Sequence, residues 1–136
     1  MLLDHEPLSQ TELGALSVLA LAHTGDAVFE LLVRTWLIAG GKATNRELHK
    51  ATVGYVSAPA QAEAMAVLLP TLSEEELSVY KRGRNAHVRG IPKNATHEQY
   101  AKATGLETLF GFLYLSGREE RCRELFRILT EDWYAI

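Results

Sequence analysis

An all-α fold is predicted by three features of the 136-residue sequence. Helix-start signals recur: Ser9 with Glu12, Thr44 with Glu47, Ser73 with Glu76, Thr96 with Gln99, and Ser116 with Glu119 all have the spacing of a reciprocal N-terminal capping box. Helix stops follow at matching distances, most plainly Gly40-Gly41 and Pro70. Runs of β-branched residues with a period of two, the mark of half-buried strands, are absent.

About seven helices result. The first covers about Gln10 to Ala22, and Gly25 is read as an interruption. The second runs from about Asp26 to Ala39 and stops at Gly40-Gly41. A third follows Thr44. A fourth begins near Ser57, with Pro59 suited to its first turn, and ends before Pro70. A fifth starts after Ser73 with Glu74, Glu75 and Glu76 in its first turn, the sign the helix dipole favours. Gly90, Pro92 and Asn94 mark a loop. The sixth helix spans about His97 to Leu115, and the seventh runs from Arg118 toward the C-terminus.

The length predicts one domain over residues 1–136, and a chain of this size buries roughly 65–70% of its unfolded surface. A single cysteine, Cys122, excludes an internal disulfide and fits a reducing compartment. Glu30 and Arg34 break the longest apolar run, and Asp4 and Glu6 do not suit a signal peptide, so a cytoplasmic protein without a membrane association is expected. The net charge of −3 argues against a protein that coats nucleic acid with its whole surface. Five histidines without ligand spacing and one cysteine give no zinc site.

Three stretches carry chemistry. In the first, 23–30, Asp26 and Glu30 are four residues apart and share a helix face among apolar neighbours. Asp26 has two readings, an acid in a first turn stabilised by the dipole or a functional carboxylate. The second runs from Gly105 to Gly117, and Glu107 is its only charge. A helix apolar nearly all round is central, and a carboxylate on it is ion-paired, hydrogen-bonded or metal-bound. Two carboxylates from two helices facing one cleft suit a hard cation such as Mg2+. The third stretch, Lys81 to Lys93, holds five of the chain's 14 basic residues and none of its 17 acids. Such a run is either a solvated helix end or a phosphate-contacting surface, with Asn85 and Asn94 as neutral donors.

Four ordered blocks carry a resemblance over nearly the whole chain. They are Leu21-Ala22-His23-Thr24-Gly25-Asp26-Ala27-Val28-Phe29-Glu30; Leu48-His49-Lys50 with Tyr55-Val56-Ser57-Ala58 and Gln61-Ala62; Arg82-Gly83-Arg84-Asn85-Ala86 with Pro92-Lys93-Asn94-Ala95; and Thr104 through Leu115 with Gly117-Arg118-Glu119-Glu120-Arg121. Together they resemble the ribonuclease III superfamily, and most closely Mini-ribonuclease III, the form without a double-stranded-RNA-binding domain. The resemblance implies a helical endonuclease domain that cleaves double-stranded RNA as a homodimer with Mg2+. It places the catalytic, metal-holding acids at Asp26 and Glu107. RNA contacts are expected at Arg82, Arg84, Asn85, Lys93 and Asn94 in and beside the basic stretch and at His49 and Lys50 of the second block. The resemblance further implies maturation of the large-subunit (23S) ribosomal RNA precursor in a bacterial cytoplasm, with a ribosomal protein as a further partner. Full-length ribonuclease III enzymes carry additional acids where this chain has Ala22 and Thr104, and Mini-III proteins share these losses.

A duplex has antiparallel strands, so cutting both needs two sites related by a two-fold axis, and one chain supplies a single Asp26–Glu107 pair. Val28, Phe29, Leu32 and Trp36, spread around their helix, are the expected dimer patch. Two other readings compete. Arg82 and His87 have the spacing found in metal-independent helical ribonucleases of the HEPN class, where histidine does acid–base work. A helical module that binds RNA without cutting it is the other, and it leaves Glu107 unexplained.

Overall fold

The structure is a computed structural model that describes residues 4, 6–42, 44–86 and 94–134. Among the described residues seven α-helices follow one another: α1 (Gln10–Ala15), α2 (Val18–Ala39), α3 (Asn45–Val56), α4 (Ala58–Leu68), α5 (Glu74–Arg84), α6 (His97–Leu115) and α7 (Glu119–Tyr134). A single 3-10 turn at Leu69–Thr71 takes up Pro70, and no strand occurs among the described residues.

The predicted caps mostly form. Ser9–Glu12, Ser73–Glu76 and Thr96–Gln99 close reciprocal capping boxes, and the Thr44 hydroxyl accepts from the Glu47 amide. Ser57 both ends α3 and caps α4, where its hydroxyl accepts from the Ala60 amide. Ser116 departs from expectation. It ends α6, its hydroxyl donating to the Leu113 carbonyl, and α7 begins only at Glu119, so Ser116 lies three residues before that helix and not at its N-cap position.

The larger correction concerns Gly25. The chain breaks at Leu16–Ser17, where Leu16 is extended and the Ser17 hydroxyl caps α2 through the Ala20 amide. From there α2 runs unbroken through Gly25 for 22 residues. Asp26 is therefore well inside a helix and not in a first turn, which removes the dipole reading of that acid.

Helix α6 is the centre of the molecule, packed by α2, α4, α5 and α7. Leu106, Leu109, Phe110 and Leu113 are fully buried, which is why this helix is apolar on nearly every side. Phe29 of α2 meets Phe110 edge to face with ring centroids 5.3 Å apart and Phe126 of α7 at 6.1 Å. Away from this core, Trp36, Tyr55 and Trp133 join α2, α3 and α7, with Tyr55 and Trp133 4.5 Å apart. The chain before α1 is tied to the end of α6 by the Leu8 amide donating to the Leu115 carbonyl. At α5 the buried Glu76 carboxylate accepts from Arg121 of α7 at 2.8 and 2.9 Å, and Arg121 also donates to the Thr71 carbonyl. Among the described residues, no helix is long and apolar enough to cross a membrane.

Candidate active site

Two glycines set the site. At Gly25 an added Cβ would lie 1.6 Å from the Glu107 carbonyl oxygen, and at Gly111 one would lie 1.9 Å from the Leu21 carbonyl oxygen. The backbones of α2 and α6 thus touch directly, and only glycine permits that approach. The residue after Gly25 is Asp26, and the carbonyl it approaches is that of Glu107. The crossing therefore places the two carboxyl groups within hydrogen-bonding reach of each other.

The two acids differ in setting. Asp26 is exposed, whereas Glu107 is largely covered. Burial, together with the charge and hydrogen bonding of Asp26, pushes the Glu107 carboxyl up to about 8. Acids forced together in this way hold a proton between them near neutral pH or take up a cation.

A third group was not anticipated as functional. Gln61 of α4 is 2% exposed. Its amide acts on Glu107 as a donor to the ionised form, opposing the rise. Its Nε2 nevertheless closes no well-formed hydrogen bond. The signal for it lay in α4 itself: Gln61 occupies the same stripe as the buried Ala64, Met65 and Leu68, a polar residue on a core face.

A second close approach brings α5 against α6. A Cβ at Gly83 would lie 2.4 Å from Thr108 Oγ1, and one at Gly105 2.5 Å from the Tyr80 ring. The C-terminal end of α5 therefore lies beside the segment of α6 that carries Glu107. Arg82 is exposed, and Arg84 lies over the Tyr80 ring at 5.7 Å with its Nε donating to Asn85 at 3.3 Å. Asn94 is exposed in the turn before α6. Lys93, His87 and Arg89 lie outside the described residues.

His49 and Lys50 are placed differently. They are exposed on α3, His49 lining a groove with Arg34 and Ile38, and Lys50 another with Lys42 and Tyr55. Arg34 and Ile38 are 8 and 12 residues beyond Asp26, roughly 12–18 Å along the α2 axis. Within one chain these two residues are not brought to the carboxylate pair. Glu30 is ion-paired to Arg34 at 2.7 Å. Ala22 and Thr104 are buried, and the Thr104 hydroxyl donates to the Tyr100 carbonyl.

The expected dimer patch divides. Phe29 is wholly buried and Trp36 is taken up by the aromatic cluster, because both sides of α2 at those positions already have neighbours. Val28, Leu31 and Leu32 instead line a mainly apolar groove of about 310 Å³ with Tyr114 and Cys122, and Leu31 is half exposed.

The sequence matches the Ribonuclease III domain over residues 19–118, a span that includes both acids, Gln61 and the end of α5. Mini-ribonuclease 3 of Brevibacillus brevis is 52% identical over 107 residues, covering 79% of this chain and 80% of that protein. The chain belongs to the Mini-ribonuclease 3 family. Mini-ribonuclease 3 of Clostridium tetani is 39% identical over 125 residues, covering 91% of this chain and 83% of the relative. The fold agrees with a crystal structure of a Fusobacterium nucleatum protein at a TM-score of 0.80 and 29% identity, covering 87% of this chain and 94% of that one. As a Mini-ribonuclease 3 family member the chain is an endoribonuclease. The ribonuclease III family acts on double-stranded RNA and is in general dependent on divalent metal ions.

Among the described residues no group of three or more His, Cys, Asp or Glu forms a ready-made metal cage. The donor set at the α2–α6 crossing is two carboxylates and no thiol or imidazole. That chemistry fits Mg2+, which takes oxygen ligands and is commonly held by one or two carboxylates, with waters and a substrate phosphate completing its shell.

Proposed function

We propose that this endoribonuclease cleaves double-stranded RNA with Mg2+ held by Asp26 and Glu107, residues 1–136 acting as one catalytic domain. The observation that carries the reading is the Gly25–Gly111 crossing, which leaves two carboxylates of different burial side by side at the surface of the central helix. Mg2+ bound there supplies a Lewis acid for a phosphate oxygen and a water of lowered pKa. Asp26 and Glu107 hold the metal, and their shared negative charge favours cation over anion until the cation is in place. Arg82, Arg84 and Asn85 at the end of α5, with Lys93 and Asn94 beyond it, hold the phosphate backbone. His49 and Lys50, on another part of the surface, contact the duplex farther along.

Cutting both strands requires a second Asp26–Glu107 pair, so the working form is a homodimer. The groove of Val28, Leu31 and Leu32 is its interface, since it is apolar and lies on the same helix as Asp26. The substrate assigned is the precursor of 23S ribosomal RNA in the bacterial cytoplasm, with a ribosomal protein assisting.

Incubation of a long RNA duplex with the protein, with Mg2+ and with chelator, tests the reading. Cleavage is expected only with the metal, and Asp26→Asn and Glu107→Gln are expected to lower it by orders of magnitude while duplex affinity is kept. Cutting at wild-type rate by either variant in saturating Mg2+ overturns the role of that acid. Cutting that survives chelator moves the chemistry to a metal-free mechanism, such as one using Arg82 and His87.

A further inference from the structure

Helix α4 is built from alanine, methionine, valine and leucine on its inner side, and Gln61 is the exception. An apolar side chain would fill that position without leaving a polar group dry. Instead Gln61 Nε2 is a buried side-chain nitrogen with no hydrogen-bond partner. Buried amide groups are almost always paired, so an unpaired one beside a reactive group needs a reason.

The hydrogen-bonding capacity around Glu107 supplies one. An ionised carboxylate offers two oxygens with about four lone-pair sites. The two hydroxyls that flank Glu107 on α6 are already committed. Thr104 donates to the Tyr100 carbonyl at 3.0 Å and Thr108 to the Thr104 carbonyl at 2.7 Å. The Gln61 amide is on the adjoining helix, within reach of Glu107, and its Nε2 closes no well-formed hydrogen bond to any other group.

We propose that Gln61 is a positioning residue, donating its buried side-chain NH2 to one oxygen of Glu107 so that the other oxygen is presented, together with Asp26, to a divalent cation. The proposal rests on the metal role given above to the two acids. The same logic governs metal sites generally: a ligand carboxylate is hydrogen-bonded by a group that touches no metal, and that group fixes its rotamer. The Gln61 amide already acts on Glu107 without a well-formed bond, and a bound cation would fix the carboxylate rotamer that closes it. Gln61 touches neither metal nor RNA in this scheme and acts only through Glu107.

The test uses the full chain without RNA and Mn2+ alone, followed by the electron paramagnetic resonance of the free ion. Gln61→Met keeps length and removes the donors. It is expected to fold with an unchanged or slightly raised Tm and to bind Mn2+ about ten-fold more weakly. In cleavage assays it should raise the Mg2+ concentration at half-maximal rate by a similar factor while leaving the rate at saturating Mg2+ within about three-fold. Mn2+ affinity within two-fold of wild type, while Glu107→Gln loses binding, overturns the Gln61 proposal alone. Unaltered Mn2+ binding in Glu107→Gln overturns the metal reading of the pair and the Gln61 proposal with it. Should Gln61→Met fail to fold, the wild-type protein still decides: its Gln61 side-chain amide resonances shift and exchange more slowly on adding Mg2+. Resonances that do not respond to Mg2+ refute the proposal.

Discussion

Replacing Gly25 by alanine adds one methyl group at the closest point between two helices. Its carbon would stand 1.6 Å from the Glu107 carbonyl oxygen and 2.7 Å from the Gly111 nitrogen. Even a close carbon–oxygen contact is about 3.3 Å, so α2 and α6 must part by roughly 1.7 Å. Neither obstacle is a side chain that can rotate away. A gap of 0.5–1 Å already forfeits roughly a quarter to a half of each dispersion contact across it, and this face includes the fully buried Phe29 and Phe110. Overpacking usually costs about 1–3 kcal/mol. With backbone as the obstacle on both sides the expected loss exceeds about 3 kcal/mol, a fall in Tm of more than about 10 °C. Helical circular dichroism during heating and in urea measures it. Gly54→Ala, inside α3 with nothing within 4 Å of its added Cβ, is the control and should gain about 0.5–1 kcal/mol. A Gly25→Ala protein within about 1 kcal/mol of wild type would refute the argument that backbone contact sets this crossing.

Four other outcomes are expected. Glu107 titrates higher folded than unfolded, rising from 4.5 to about 8, so its contribution is fully present below about pH 4.5 and lost as pH rises through about 8. In chelator, the wild type should lose about 3 kcal/mol relative to Glu107→Gln between pH 6 and 9, and parallel urea stabilities contradict this. Arg121→Ala strands the buried Glu76 carboxylate and should cost about 2–3 kcal/mol. Because the Arg121 hydrogen bonds hold Glu76 below the usual carboxylate range, that contribution is present above about pH 4.5 and lost as pH falls through the lowered value, so acid should erase the difference between the two proteins. Arg82→Ala with Arg84→Ala should weaken all RNA duplexes alike, flattening the slope of log affinity against log salt by about 0.9 per lost phosphate contact. Filter binding at several salt concentrations reads it, and an unaltered slope makes these arginines a solvated helix end. Leu31→Glu places a charge in the apolar groove and should give a monomer in light scattering, where the wild type is expected to run as the proposed dimer. A wild-type monomer that cuts both strands rejects the dimer.

The helices were legible where their ends are local chemistry. Three capping boxes and the Gly40 stop require only residues within one turn, and the bounds of α6 follow from Thr96 and Ser116. Gly25 misled because glycine has two uses that look identical in one sequence, a break or a close approach. Which applies depends on Gly111, 86 residues away. Ser116 misled because capping-box spacing does not reveal where a helix starts, and α7 begins at Glu119 itself. Asp26 and Glu107 stood out as acids in apolar surroundings. Gln61 did not, because an uncharged amide in a helix draws attention only once its stripe is known to face inward. Block order alone groups His49 and Lys50 with the other contacts, and it says nothing of how far along α2 their helix docks.

The burial of α6 on four sides has a consequence for motion. Amide protons in its middle, from Ala103 to Leu113, have no local route to solvent, since exposing them means removing α2, α4, α5 or α7. Their hydrogen exchange should track global unfolding and be the slowest in the chain. The end of α5 is a helix terminus, which opens at far lower cost. The acid on α6 thus belongs to the last part of the protein to yield, and the neighbouring basic end to a part that adjusts readily. In the proposed complex, a duplex held by α5 can bend or slide there without altering the separation of Asp26 and Glu107.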